Sequence, residues 1–239
     1  VVIGVVLFGT MALVTPFMQN VLGYPIVTAG MLLGTRGVGT MFTMMVAPKL
    51  MAKIETRYLI LCGLIFTAGT LYQMTGFTLD TPPKTIVIIN IIQGVGLGLL
   101  FVPVTSAAFA TLPNRLRTSG TAINTLVRNI GSSIGISMVI ANLTSKTTYM
   151  HERLGESVTP FNDALQFPDV SSILNTGTDA GRAMLDGIVT QQAAVIAYAN
   201  DFKLLMVVCI CVMPLILLVG KAPRPQPGVK QEPAHAALD

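Results

Sequence analysis

"LVRNIGSSIGIS", residues 126–137, admits three incompatible readings. Gly131-Ser132-Ser133-Ile134-Gly135 fits the G-x-S-x-G of a hydrolase nucleophile elbow. The same five residues fit the G-x-x-x-G of closely packed membrane helices. Arg128, a charge in apolar company, is either a surface residue or a functional one. The surrounding sequence decides among them, and with them the fold.

Of 239 residues, 52% are hydrophobic and 11% charged, against roughly 25% charged in an average soluble domain. Too little charge is present to cover a soluble surface, so the composition indicates an integral membrane protein. Val1 already lies inside an apolar run with no basic segment before it. The chain therefore reads as a fragment beginning within a span, and Val1–Phe17 does not read as a signal peptide. Cys62, Cys209 and Cys211 all sit in apolar runs and suggest neither a disulfide framework nor a metal site.

A helix crosses the hydrocarbon with about 20 mostly apolar residues. Six stretches meet that need: Val1–Phe17, Thr28–Met51, Tyr58–Phe77, Thr85–Phe109, Ser119–Leu143 and Phe202–Val219. Short breaks with turn or charge signals separate the first five. Residues 144–201 hold scattered Gly, Pro, Asn and Asp and read as one long loop, and 220–239 read as a disordered tail. The expected fold is all-α, with five helices in 1–143, a loop over 144–201 and a last helix over 202–219.

Lys and Arg concentrate on the cytoplasmic side of membrane proteins. Lys49, Lys53, Arg57, Arg115, Arg117, Lys221, Arg224 and Lys230 fall on one side of this arrangement. The long loop, with Glu152, Glu156, Asp163, Asp169, Asp179, Asp186 and Asp201, falls on the other. The tail is thus expected inside and the loop outside. The net charge of +4 reflects this topology, and no nucleic-acid footprint is visible in it.

A nucleophile elbow needs a strand-turn-helix, a His base and an orienting acid. The two histidines, His151 and His235, fall on opposite sides of the membrane and neither reaches Ser133. Gly131 and Gly135 read instead as a packing seam. Similarly, "QGVGLG" around Gly94 and Gly98 lacks the preceding strand of a dinucleotide loop and reads as helix packing.

Arg128 shares one helix sector with Thr121, Asn124, Ser132 and Gly135, at about 100° per residue. Arg36, Gly39, Thr40 and Thr43 share a face of the second span; Asn90, Gln93, Gly94, Phe101 and Thr105 lie together on the fourth. Such stripes either hydrogen-bond neighbouring helices or line a wet cavity. For the arginines the second reading is stronger, because a charge deep in lipid costs several kcal/mol, about 2.5–3.5 on insertion scales. Both middle spans also carry R-x-x-G, at Arg36–Gly39 and Arg128–Gly131, running in opposite directions as an inverted three-plus-three repeat requires. All acidic residues fall in loops or the tail by this reading, so a spanning carboxylate for proton coupling is not expected here.

"PFMQNVLGYPIVTAGMLLGTRGVGTMF", "QGVGLGLLFVPVTSAAFATLPNRLRTSGTAINTLVRNIGSSIGIS" and "ESVTPFN" together resemble the C-terminal half of major facilitator superfamily exporters. The nearest group is the fourteen-span drug:proton antiporters of the EmrB/QacA type. Gln19, Gly23, Gly30, Arg36, Gly37, Gly98, Pro103, Gly120, Asn124, Arg128, Gly131 and Gly135 keep the family spacing. The resemblance implies the last six of fourteen spans, docked on a missing N-terminal half around a central cavity. It implies substrate-contacting or gate-tuning roles for Arg128 and Asn124, cavity-lining roles for Arg36, Asn90, Gln93 and Phe101, and a charge-relay role for the cytoplasmic loop with Lys53 and Arg57. That loop departs from L-x-D-R-x-G-x-R at Ala52 and Glu55.

The expected activity is proton-driven efflux of small amphipathic compounds across the bacterial inner membrane, with no bound cofactor and no metal. In members from bacteria with two membranes, the resemblance implies a periplasmic adaptor and an outer-membrane channel as partners. A narrower exporter of a siderophore or metabolite, a non-transporting scaffold and an intramembrane hydrolase are the alternatives. Proton flux separates transport from scaffold, and a serine-reactive probe on Ser133 tests the hydrolase.

Overall fold

A computed structural model describes residues 1–109, 113, 116–156 and 177–218. Among the described residues it has six long helices and no strand. They are α1 (Val2–Pro16), α2 (Ile26–Lys53), α3 (Thr56–Met74), α4 (Pro83–Phe109), α5 (Arg117–Gly155) and α6 (Asp179–Leu218). α1 continues into a π-helical turn, Phe17–Val21. The chain then reverses at Gly23, whose φ of 67° suits glycine best, and Pro25 leads it into α2. Pro83 opens α4, a position where its missing N–H costs nothing.

Among the described residues, four helices are long and apolar enough to cross a membrane: Ile3–Val21, Pro83–Phe109, Arg117–Gly155 and Asp179–Ile216. α2 and α3 are more polar. Threonines and glycines recur along both, and α2 also carries Arg36, Lys49 and Lys53. Several of their hydroxyls find acceptors within the helix itself. The Thr40, Thr43 and Thr67 hydroxyls donate to carbonyls one turn back at Arg36, Gly39 and Gly63.

Packing runs in sequence: α2 on α4, α4 on α3, α3 on α6, α6 on α5 and α5 on α1. The largest apolar core draws on α1, α3 and α6, with Leu13, Phe17, Met18, Leu71, Met74, Phe202 and Leu205 buried. Phe17 anchors its upper end, 5.7 Å from Phe77, 5.3 Å from Tyr198 and 6.5 Å from Phe202 between ring centroids. These edge and offset contacts favour one mutual arrangement of the three helices.

Two expectations are corrected. Residues 144–201 are not a plain loop: α5 runs on to Gly155 and α6 begins at Asp179. Local contacts accompany the gain. Asp179 sits in the first turn of α6, where an acid suits the helix dipole, and pairs with Arg182 at 3.1 Å. The two extensions are joined by His151 and Asp186 at 2.9 Å. The segment between them and the tail at 220–239 lie outside the described residues. The second correction concerns Asp201, expected beyond the last span. It lies within α6 and is 0% exposed.

Candidate functional site

α2 and α4 approach so closely that a Cβ on Gly39 would overlap the Ile91 carbonyl, and one on Gly94 the Arg36 carbonyl. Gly98 rests against Thr43 in the same seam. Glycine at these positions lets the two backbones meet. The Thr40 hydroxyl reaches the Gly94 carbonyl at 3.1 Å, tying the seam across.

Arg36 closes over this seam. It is 5% exposed, and its Nη2 donates to the side-chain carbonyls of Gln93 and, at 3.5 Å, Asn90. Asn90 and Gln93 are themselves 0% and 1% exposed. Asn90 spends its amide on the Ile86 carbonyl at 3.0 Å. Nη1 and Nε of Arg36 find no partner among the described residues. A guanidinium stays charged in a protein, and burying it beside neutral amides is costly unless a further acceptor arrives. The three residues thus form a polar knot inside the six-helix unit, with two donors unspent.

Arg128 stands apart from the knot. Half-buried on α5, it lays its guanidinium over the Phe101 ring of α4, 5.9 Å from the centroid. Its Nε is buried without a hydrogen-bond partner. Asn124, one turn earlier, is also half-buried. The neighbouring face of α5 opens a shallow cavity of about 680 Å³ lined by Arg117, Thr118, Thr121, Thr125 and Asn129 among others. Its lining comes from α5 alone, an open groove that presents threonine hydroxyls, the Asn129 amide and the Arg117 cation beside Ala122 and Leu126. Gly131 and Gly135 do form a seam: their Cβ positions are occupied by the α1 backbone at Val1 and Val5.

At the opposite side of α2 lies Lys53, in the last turn. Arg57 pairs with Glu55 at 2.8 Å and stands over Tyr58 at 5.1 Å. The departure at Glu55 thus supplies an acid of its own to this turn.

Sequence reasoning missed one pair. The Asn142 side-chain amide of α5 donates to Asp201 Oδ1 of α6. The apolar run "AAVIAYA" before Asp201 held the signal: it continues the last span outward past the acid.

The Major Facilitator Superfamily profile matches residues 1–137, more than half of the chain. The chain belongs to the major facilitator superfamily. Within it, the chain is 33% identical over 156 residues to the uncharacterized MFS-type transporter YhcA of Bacillus subtilis, covering 65% of this chain and 29% of that protein. It is 23% identical over 215 residues to the fatty acid resistance protein FarB of Neisseria gonorrhoeae, covering 89% and 42%. It is 25% identical over 166 residues to the multidrug export protein EmrB of Escherichia coli, covering 66% and 31%. The chain therefore spans well under half the length of these relatives. Membership of a superfamily of transporters agrees with the all-α membrane fold and is consistent with a transport role.

Proposed function

We propose that the chain is the C-terminal half of a proton-coupled exporter of amphipathic, drug-like compounds that works by alternating access. The observation that carries the reading is the half-buried Arg128 laid on the Phe101 ring, one residue before Asn129 of the open α5 groove. A cation paired with an aromatic face binds molecules that have both an apolar body and a polar end. The relatives named for multidrug export and fatty acid resistance support the substrate class. Asn124 and Arg128 contact substrate in this reading, and the Arg36 knot sets how α2 and α4 move together.

The partners are an N-terminal half that covers the cavity and, in bacteria with two membranes, a periplasmic adaptor and an outer-membrane channel. The protein resides in the cell membrane with its C-terminus in the cytoplasm, and it uses the proton gradient in place of a cofactor. A narrower reading, export of an amphipathic anion, is favoured by Arg36 and Arg128, neither of which pairs with a carboxylate among the described residues.

Growth of an exporter-deficient host on a panel of toxic amphipaths, with and without the full-length gene, tests the proposal. Resistance abolished by a proton uncoupler supports it. Unchanged sensitivity to every compound, with the protein abundant, defeats it. Resistance confined to acids selects the narrower reading.

A further inference from the structure

Asp201 is the buried acid that the arginine-based site does not use. Gln191 of α6 donates to the Val21 carbonyl at the outer end of α1, at 3.0 Å. Asp201 lies ten residues further along the same helix, about 15 Å along its axis. Phe202 beside it packs on Phe17, and Leu205, one turn on, covers Gly9. Asp201 itself is fully buried, with Asn142 of α5 against it and its helical neighbours Phe202 and Leu205 packed on α1.

Its surroundings leave it half satisfied. Asn142 donates to Oδ1, while Oδ2 is buried with no hydrogen-bond partner. No cation among the described residues forms an ion pair with it. α1 and its π-helical turn carry no titratable side chain. On α3, Arg57 and Tyr58 stand at the far end, Cys62 is exposed, and so is Tyr72. On α5 the nearest charge is Lys146, one turn outward from Asn142 and exposed. On α6 itself Tyr198 lies one turn outward, 6% exposed, and Lys203 is exposed. An ionised carboxylate without a counter-charge is costly in such a place, and protonation removes that cost.

A purely structural role does not account for the acid. The Asn142 bond needs only an acceptor oxygen, which an asparagine at 201 would supply without a buried charge. We propose that Asp201 is a proton-binding residue of the transporter. It takes one proton from the outer side on Oδ2, becoming a neutral carboxylic acid, and returns to the carboxylate when that O–H bond breaks. No electrons are transferred, and Asn142 holds Oδ1 throughout. Its place in a transport cycle rests on the exporter reading above; its titration does not.

The test uses the purified full-length transporter and infrared difference spectroscopy across pH. Wild type should show a carboxylic C=O band, above the amide region, that grows on acidification and is absent from Asp201→Asn. Identical titration in Asp201→Asn overturns the proposal. Should that variant not accumulate, Asn142→Ala keeps the acid but removes the donor to its charged form. Its band should then persist about one pH unit or more higher than in wild type, and an unchanged midpoint overturns the proposal. In liposomes, Asp201→Asn should lose pH-gradient-driven transport while keeping substrate counterflow; gradient-driven transport at the wild-type rate counts against the assignment. Absence of proton flux in wild type itself defeats the exporter reading, and the infrared result then decides Asp201 alone.

Discussion

The Arg128 guanidinium lies 5.9 Å above the centre of the Phe101 ring, bringing a charge of α5 onto an aromatic face of α4. A partly exposed cation–π contact is worth about 0.5–1 kcal/mol. Its loss alone should not unfold the protein. Arg128→Ala should therefore accumulate near the wild-type level yet export nothing, and Arg128→Lys should keep part of the activity, since the charge remains while the planar fork is lost. Phe101→Leu, which keeps apolar bulk, should fall between the two. Efflux rates normalised to membrane abundance check this, and wild-type efflux in Arg128→Ala would reduce the residue to packing.

The knot beneath behaves differently, because it is sealed. Gln93→Leu leaves the Arg36 guanidinium short of its best acceptor, at a cost of about 1–3 kcal/mol. Thermal unfolding in detergent should begin several degrees lower. Gly94→Leu should be worse, since the Arg36 backbone occupies the space its side chain needs, whereas Gly37 has nothing within 4 Å of its Cβ position and Gly37→Ala should be tolerated. Gly131→Leu and Gly135→Leu should resemble Gly94→Leu, because α1 fills their space. Equal abundance of all these variants would show that the seams yield more easily than their geometry implies.

The helical fold and the glycine seams follow from periodicity, because small and polar residues recur on single faces of apolar helices; it set Arg36, Asn90 and Gln93 on inward faces without pairing them. What periodicity does not carry is which face meets which neighbour. Arg36 and Arg128 looked alike in sequence, yet one is sealed between two helices and the other half-open, a difference that depends on packing across the unit. The helical extensions at 144–155 and 179–201 were hidden by Gly and Asp residues that read as loop signals. Exposed local contacts, Asp179 with Arg182 and His151 with Asp186, accompany these turns, and α5 packs on α6. Asp201 was misplaced because its charge was taken to end a span that its apolar neighbours continue.

Orientation can be read directly in a variant lacking the native cysteines. Thr148, on the outer extension of α5, and Ala52, near the end of α2, are both exposed. Thr148→Cys should react with an impermeant thiol reagent added to intact cells, and Ala52→Cys only after lysis. The reverse pattern would place the basic turn around Lys53 and Arg57 outside, against the distribution of Lys and Arg.

The last prediction concerns the faces this unit leaves uncovered. α5 buries only Gly131, Gly135 and Val139 fully, while Ile123, Leu126, Ile130, Ile134 and Met138 are exposed along it. α2 likewise exposes Val38, Met41, Phe42 and Met45. Lipid can cover such apolar surface, but serves poorly the Thr125 hydroxyl and Asn129 amide that line the α5 groove. A polar strip facing hydrocarbon is unfavourable, and a second half presenting its own polar face would relieve it. Residues 1–239 expressed alone should therefore accumulate poorly, and co-expression with the remainder of the full-length protein as a separate chain should raise their abundance and restore efflux. Paired cysteines offer a direct check: Thr125→Cys should cross-link to the co-expressed chain, and a cysteine at Lys203, on the exposed side of α6, should not. Abundant, stable protein from residues 1–239 alone would mean that the strip is covered some other way and that no second half is needed to hold this unit together.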